Sequence, residues 1–313
     1  MNGLDIKIKR VDMEDQKRAL VLASLAADSL ALGVHWIYNT ARIRKEFGRV
    51  EQLLKPLSNS YHSSKDRGEF THYGDQAMIL LESVAARGAF DLDDFSTRWQ
   101  ELFSRYKGYF DQATKATLQN FDRGKTPRDS GSSSSELAGA SRISPLVCCY
   151  AGDVDALVKA ARDQTRMTHN HPIVLDGAEF FARLCSKILQ GGSPVSAIRD
   201  VTAERFKGTP LSEWVGRGLE SREEDSVAAI GRFGQSCHVD EAFSGIVHLI
   251  AKYEKDLQEA LVQCVMAGGD SAGRGMMVGM VLGAHLGSKS LPAEWVSGLK
   301  RGKEISALVE KIS

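Results

Sequence analysis

Two aspartates stand where helices should begin. Asp75 in "THYGDQAMILLES" and Asp270 in "AGGDSAGRG" each follow a glycine and precede a run with helical spacing. An acid in that place can cap the helix by accepting a backbone N–H. Two such acids at two helix starts can instead hold a hard cation, which takes oxygen ligands. The local sequence leaves both open. Imidazoles, which titrate near neutrality and can act as acid or base, occur at His35, His72 and His169, the last with His171 in "MTHNHPIVLDGAEF". The two-residue spacing of His169 and His171 does not place both rings on one helix face, and a pair without a third ligand is weak ground for zinc. Turn capping and packing explain them as well as catalysis does. No G-x-S-x-G follows a strand, so a serine nucleophile is not indicated.

These residues need helices to position them. Alternating β-branched runs are almost absent, whereas helix-period apolar stripes recur, which predicts an all-α protein. Helices are expected near 13–34, 75–88, 93–106, 109–122, 134–150, 153–165, 171–190, 194–205, 222–233, 240–252, 255–266 and 272–286. Most of the seven prolines fall between them, where helices break or begin.

Gly275, Gly279, Gly283 and Gly287 lie four residues apart. Each glycine costs a helix about 1 kcal/mol against alanine, so the stripe needs a packing reason. Ala23, Ala27 and Ala31 form a second small-residue stripe, and the two faces could approach more closely than the usual interaxial distance of about 8–10 Å. Helices 13–34 and 272–286 are therefore expected to form the central pair, with Asp28 in an interior where a carboxylate needs donors or a cation. The Ser- and Gly-rich segment 123–139 is expected to be a mobile loop.

Lys plus Arg and Asp plus Glu each number 40 in 313 residues, so no overall field draws the chain to nucleic acid or to a membrane surface. A small-molecule partner fits better. The apolar stretch "ALVLASLAADSLALGVHWI" contains Asp28, which suits a buried helix rather than a membrane span. The opening "MNGLDIKIKRVDMEDQ" lacks the features of a signal peptide, and a cytoplasmic protein is expected. Five cysteines without C-x-x-C spacing argue against a disulfide framework or structural zinc, and adjacent Cys148 and Cys149 read as buried thiols. No shift of composition divides the chain, so residues 1–313 read as one domain. The oligomeric state has no signature.

In order, the segments resemble the ADP-ribosylglycohydrolase superfamily, which includes the dinitrogenase reductase-activating glycohydrolases and the jellyfish J crystallins. "AADSLALGVHW" is similar to the family's G-D-A-L-G, "YGDQAM" to T-D-D-T-Q-M, "YKGYFDQATKATL" to G-Y-G-x-x-T-x-x-x-L, "ASRISPL" to A-M-R-I-A-P, "THNHP" to T-H-x-H-P and "AGGDSAGRG" to G-G-D-T-D-T. The resemblance implies a compact orthogonal multi-helix bundle with a central cleft. It also implies one or two magnesium ions between the two acidic motifs, and cleavage of the bond that joins ADP-ribose to a side chain, or of a related glycosidic bond.

Asp75 matches the second acid of T-D-D-T and Asp270 the first of D-T-D-T. Gly74 stands at the other T-D-D-T acid, Ala272 at the other D-T-D-T acid, and His35 near the acid that follows the opening motif. The resemblance therefore implies a reduced site of the crystallin-like branch with, at most, a single weakly held magnesium at Asp75 and Asp270. Asp75, Asp270, Arg274, His35 and His169 are the implied catalytic set, and Gly269, Ser271, Gln76, Gly139 and Ser141 the implied ligand contacts. Arg274 is expected to pair with one of the two acids in place of a metal. Two readings follow: a hydrolase of an ADP-ribosyl or other nucleotide-like glycosidic bond, or a non-catalytic member that binds ADP-ribose or serves structurally.

Overall fold

The computed structural model describes residues 12–313. The first eleven residues of the N-terminal stretch read above lie outside them. The chain runs α1 (Met13–Ala31), α2 (Thr40–Phe47), α3 (His72–Arg87), α4 (Leu92–Ser104), α5 (Gln112–Asp122), α6 (Ala138–Ser141), α7 (Ser144–Cys149), α8 (Val154–Thr168), α9 (Pro172–Leu189), α10 (Pro194–Arg205), α11 (Pro210–Glu220), α12 (Ser226–Phe233), α13 (Val239–Lys252), α14 (Leu257–Met266), α15 (Ser271–Leu286), α16 (Ala293–Gly298) and α17 (Gly302–Val309). Two isolated bridges are the only β pairing among the described residues. The protein is all-α, as the periodicity implied, and no described helix is long and apolar enough to cross a membrane.

α1 and α15 are the central pair, buried over nearly their whole length. A Cβ on Gly279 would lie 2.5 Å from the Ala23 carbonyl oxygen, one on Gly283 2.8 Å from that of Ala19, and one on Gly275 3.4 Å from the Ala27 Cβ. This descending order makes the pair antiparallel. Gly287 is not part of the stripe: with φ 74° it ends α15. The glycines thus let two backbones meet where any side chain would hold them apart.

The antiparallel arrangement brings the head of α15 to the tail of α1, and Asp28 brings α3 to the same place. Its fully buried carboxylate accepts the Thr71 N–H at 2.7 Å, the Thr71 hydroxyl at 2.5 Å and the Gly74 N–H at 3.2 Å. Burial pushes the Asp28 carboxyl up to about 6, against the opposing pull of those donors. The interior acid expected from sequence is therefore held by backbone and hydroxyl donors.

Several expectations are corrected. The helix expected over 134–150 is two short ones, because Pro145 stands in the first turn of α7 and Arg142 turns inward to Gln76, Gln164 and Thr168. α2 was not expected, since "TARIRKEF" buries only Ile43 and shows no apolar stripe. Segment 123–139 is pinned down: Ser130 Oγ donates to Met167 O, Ser132 exchanges backbone hydrogen bonds with Thr168 and Asn170, and the Leu137 N–H reaches Cys237 O. Its order comes from backbone pairing with neighbouring chain, which its own composition does not encode. The cysteines are free thiols, Cys148 buried and Cys149 half-buried.

Candidate functional site

Helix ends meet in one cleft. The chain leaving α1 supplies His35 and Trp36, the head of α3 His72 and Tyr73, the lead into α5 Tyr109 and Asp111, the Ser-rich segment Glu136, the tail of α8 His169, and the head of α15 Asp270. Asp111 is the N-cap of α5, its oxygen accepting the Thr114 N–H at 2.5 Å. Trp36 is anchored by its N–H to Gly269 O at 2.9 Å.

Three acid–histidine pairs result. His72 Nε2 lies 2.9 Å from Asp111 Oδ2, His35 Nε2 3.5 Å from Asp270 Oδ1, and His169 Nε2 3.7 Å from Glu136 Oε2. The rings of His35, His62 and His72 stack in series with centroids 5.3 and 5.7 Å apart, and Tyr73 packs at 4.0 Å from His72. Because the Ala272 N–H donates to His35 Nδ1 at 3.3 Å, the neutral ring carries its proton on Nε2, facing Asp270.

The environment separates these groups electrostatically. Burial pushes the Asp270 carboxyl up to about 6, only partly offset by the Arg274 charge. Glu136 is also penalised by burial, but the neighbouring His169, 3.7 Å away, outweighs this and holds it below its ordinary value. His72 does the same, more strongly, for Asp111 against its burial. Burial first, then neighbouring imidazoles, keep His35 well below the usual histidine value and bring His62 down to about 3, so both stay neutral. Asp270, raised by burial, thus lies near two carboxyls that imidazoles hold down.

Seven buried atoms here lack a hydrogen-bond partner: His35 Nε2, His62 Nε2, His72 Nδ1 and Nε2, Glu136 Oε2, His169 Nε2 and Asp270 Oδ1. More than about 90% of buried polar groups are satisfied in folded proteins. These seven cluster where these helix ends meet, most of them within the three acid–histidine pairs.

The residues expected from sequence divide. His35, His169 and Asp270 come together. Asp270 heads α15 without making the side-chain cap bond, and Asp75 is not a cap either, since Thr71 caps α3. The Asp75 carboxylate instead takes the Lys65 ammonium and the Tyr106 hydroxyl. Arg274 pairs with neither acid. Its Nη2 donates to Cys264 O at 3.0 Å and Gly268 O at 2.6 Å, bracing the turn before Asp270. Gln76 faces the core, where its amide joins Trp99, Arg142 and His72 O. Gly269 supplies backbone contacts at φ 64°, and Ser271 is buried with a free hydroxyl. Gly139 makes room for His169, whose Nδ1 would lie 2.8 Å from an added Cβ, and Ser141 bonds Ala138 O within its own turn.

The magnesium expected at Asp75 and Asp270 does not match these donors. An ammonium and a phenol engage Asp75, Asp28 fills the space beside Gly74, and Ala272 and Gly273 offer no side-chain oxygen. Among the described residues no group of three or more His, Cys, Asp or Glu is arranged to hold a metal ion. A hard cation that wants six or more oxygens does not fit.

Sequence reasoning missed Lys65, Asp111, Glu136, His62 and Tyr109. Asp111 had a signal, an acid three residues before Thr114 at a helix start. Glu136 had none, since its place depends on backbone pairing.

A protein-family comparison matches residues 9–313 to the ADP-ribosylglycohydrolase family. Crystallin J1A of Tripedalia cystophora is 26% identical over 96% of this chain and 97% of its own. The ADP-ribosyl-[dinitrogen reductase] glycohydrolase of Rhodospirillum rubrum is 23% identical over 78% of this chain and 79% of its own. A solved structure titled ADP-ribosylglycohydrolase-related protein complex superimposes with a TM-score of 0.75 at 22% identity, covering 96% of this chain and 97% of that one, and so shares the fold. The chain belongs to the ADP-ribosylglycohydrolase family, on its J-crystallin-like branch.

Proposed function

We propose that the chain hydrolyses a glycosidic bond to a ribosyl group in an ADP-ribosylated or nucleotide-like substrate, and that it does so without the two-cation site. What supports this reading is the nearness of Asp270 and Glu136, close enough to interact electrostatically, each facing a histidine at 3.5 and 3.7 Å, with burial pushing Asp270 up to about 6 and His169 holding Glu136 below its ordinary value. Two carboxyls whose environments push them apart supply an acid and a base. Asp270 protonates the departing atom while Glu136 takes a proton from the attacking water. His35 steadies Asp270, and His169 keeps Glu136 ionised and in place. Asp75 anchors Lys65 and Tyr106 at the edge of the site rather than acting on substrate.

The test is release of free ADP-ribose or ribose from ADP-ribosylated peptides and nucleotides by chelator-treated protein, followed by liquid chromatography and mass spectrometry. Asp270→Asn and Glu136→Gln should each lower turnover by about 100-fold or more, the usual scale of acid–base contributions. Unchanged turnover in either variant refutes the assignment. A second reading, binding without turnover, is favoured by the engagement of Asp75 with Lys65. Ligand-induced thermal stabilisation with no product separates it from the first, since ligand at 100 times its dissociation constant adds about 2.7 kcal/mol.

A further inference from the structure

Beside His35 a cavity of about 280 Å³ opens to solvent, lined by Trp36, Tyr38, Tyr61, Asn59, Ser60 and Arg42 among others. Three observations set it apart. Tyr38 and Tyr61, 50% and 64% exposed, are two of the three large hydrophobic side chains left exposed among the described residues, and both line it. Trp36, at φ 64°, is the only non-glycine described residue in the left-handed region, a backbone strain of the kind found at functional sites. Its indole meets the ring edges of Tyr109 and Tyr61 at centroid distances of 4.8 and 5.3 Å and stacks on His35 at 4.5 Å. Behind them His35 Nε2 is fully buried, without a partner, and 3.5 Å from Asp270.

We infer that this cavity seats the departing group of the substrate, and that this group is a planar heteroaromatic base, so that the bond broken is an N-ribosidic bond to the base. The inference rests on the hydrolase reading and names its substrate class. Indole and phenol rings that present faces and edges suit a flat partner. The volume is near the lower end for ligand pockets, about 300 Å³, which suits one ring system rather than a peptide segment. No acid lines the cavity, and its one charged side chain is Arg42, already paired with Glu46 at 2.9 Å, so a guanidinium departing group would find no carboxylate in the seat itself. In the reaction, water oxygen joins the ribosyl C1′ as the C1′–N bond breaks. The bond's electron pair leaves with the base nitrogen, which takes the Asp270 proton when the base is a purine and needs none when it is a pyridinium such as that of nicotinamide; Glu136 takes the proton of the water.

The test is isothermal titration of adenine and of nicotinamide into the full chain, with agmatine as the guanidinium control. At least one base should bind saturably and agmatine should not. Tyr61→Ala, at an exposed position, and Trp36→Leu should each weaken base binding at least tenfold, while Asp270→Asn retains it. Binding of agmatine alone, of no probe, or of a base equally well to both aromatic variants overturns the inference. Base binding without turnover of any N-riboside sinks the hydrolase reading and leaves the seat for a base standing. Turnover of ADP-ribosylarginine without base binding does the reverse.

Discussion

Asp28 Oδ1 accepts the Gly74 N–H at 3.2 Å, and a Cβ on Gly74 would stand 2.5 Å from Oδ2 of the same carboxylate. The glycine at the position of the family's first T-D-D-T acid is therefore part of the bond that joins α1 to α3. Restoring the acid should damage the fold before it rebuilds a cation site. Gly74→Asp is expected to lose about 2–4 kcal/mol in urea denaturation, through the displaced buried carboxylate. It should gain no heat of magnesium binding by calorimetry, and the wild-type thermal midpoint should be the same with magnesium and with chelator. Tight magnesium binding by a stable Gly74→Asp variant would contradict this.

The central pair predicts opposite signs for two similar substitutions. Gly279→Ala forces a Cβ to 2.5 Å from a backbone oxygen that cannot swing away, and overpacking of this kind costs about 1–3 kcal/mol. At Gly275 the nearest atoms lie at 3.4–3.7 Å, ordinary contact, so Gly275→Ala should be neutral or gain up to about 1 kcal/mol from helix propensity. Thermal denaturation of the two variants side by side checks the ranking.

Asp270 gives a pH dependence of stability with a definite sign. Its folded value, about 6, lies above the unfolded 3.8, so below pH 4 both states are protonated and nothing is lost. Between pH 4 and 6 the folded state binds more protons, and stability falls as pH rises. Asp270→Asn should then be more stable than wild type at pH 7.5, by on the order of 1–3 kcal/mol, with the difference vanishing below pH 4. His35 and His62, held neutral, act the other way in both proteins, weakening the fold as pH drops below about 6.5, so the comparison isolates Asp270. Equal slopes for the two proteins would show that Asp270 is not held protonated.

The same group sets the expected rate profile. As a general acid that must carry its proton, Asp270 should make turnover fall as pH rises through about 6. The fall should be absent from the residual activity of Asp270→Asn. A profile that rises through pH 6 would instead make Asp270 a base.

The all-α class, the packing partner of the glycine stripe and the burial of Asp28 were legible in the sequence, because each follows from local rules: helical periodicity, the cost of glycine in a helix, and the cost of a carboxylate in an apolar run; the antiparallel orientation of the pair was not. His35, His169 and Asp270 were legible as candidates by type and neighbourhood. Their partners were not. Glu136 stands in a Ser-rich stretch that composition marks as loop, and it reaches His169 only because Ser132, Ser135 and Leu137 pair with backbone at Thr168, Val239 and Cys237. Lys65 reaches Asp75 from ten residues upstream, and Arg274 turns from the acids to two carbonyl groups. These outcomes depend on which donor arrives first in three dimensions and on how much water is removed from each carboxyl. Sequence determined which residues could do chemistry; tertiary structure decided which of them meet, which carboxyl burial pushes up, and that Lys65 and Tyr106 engage Asp75.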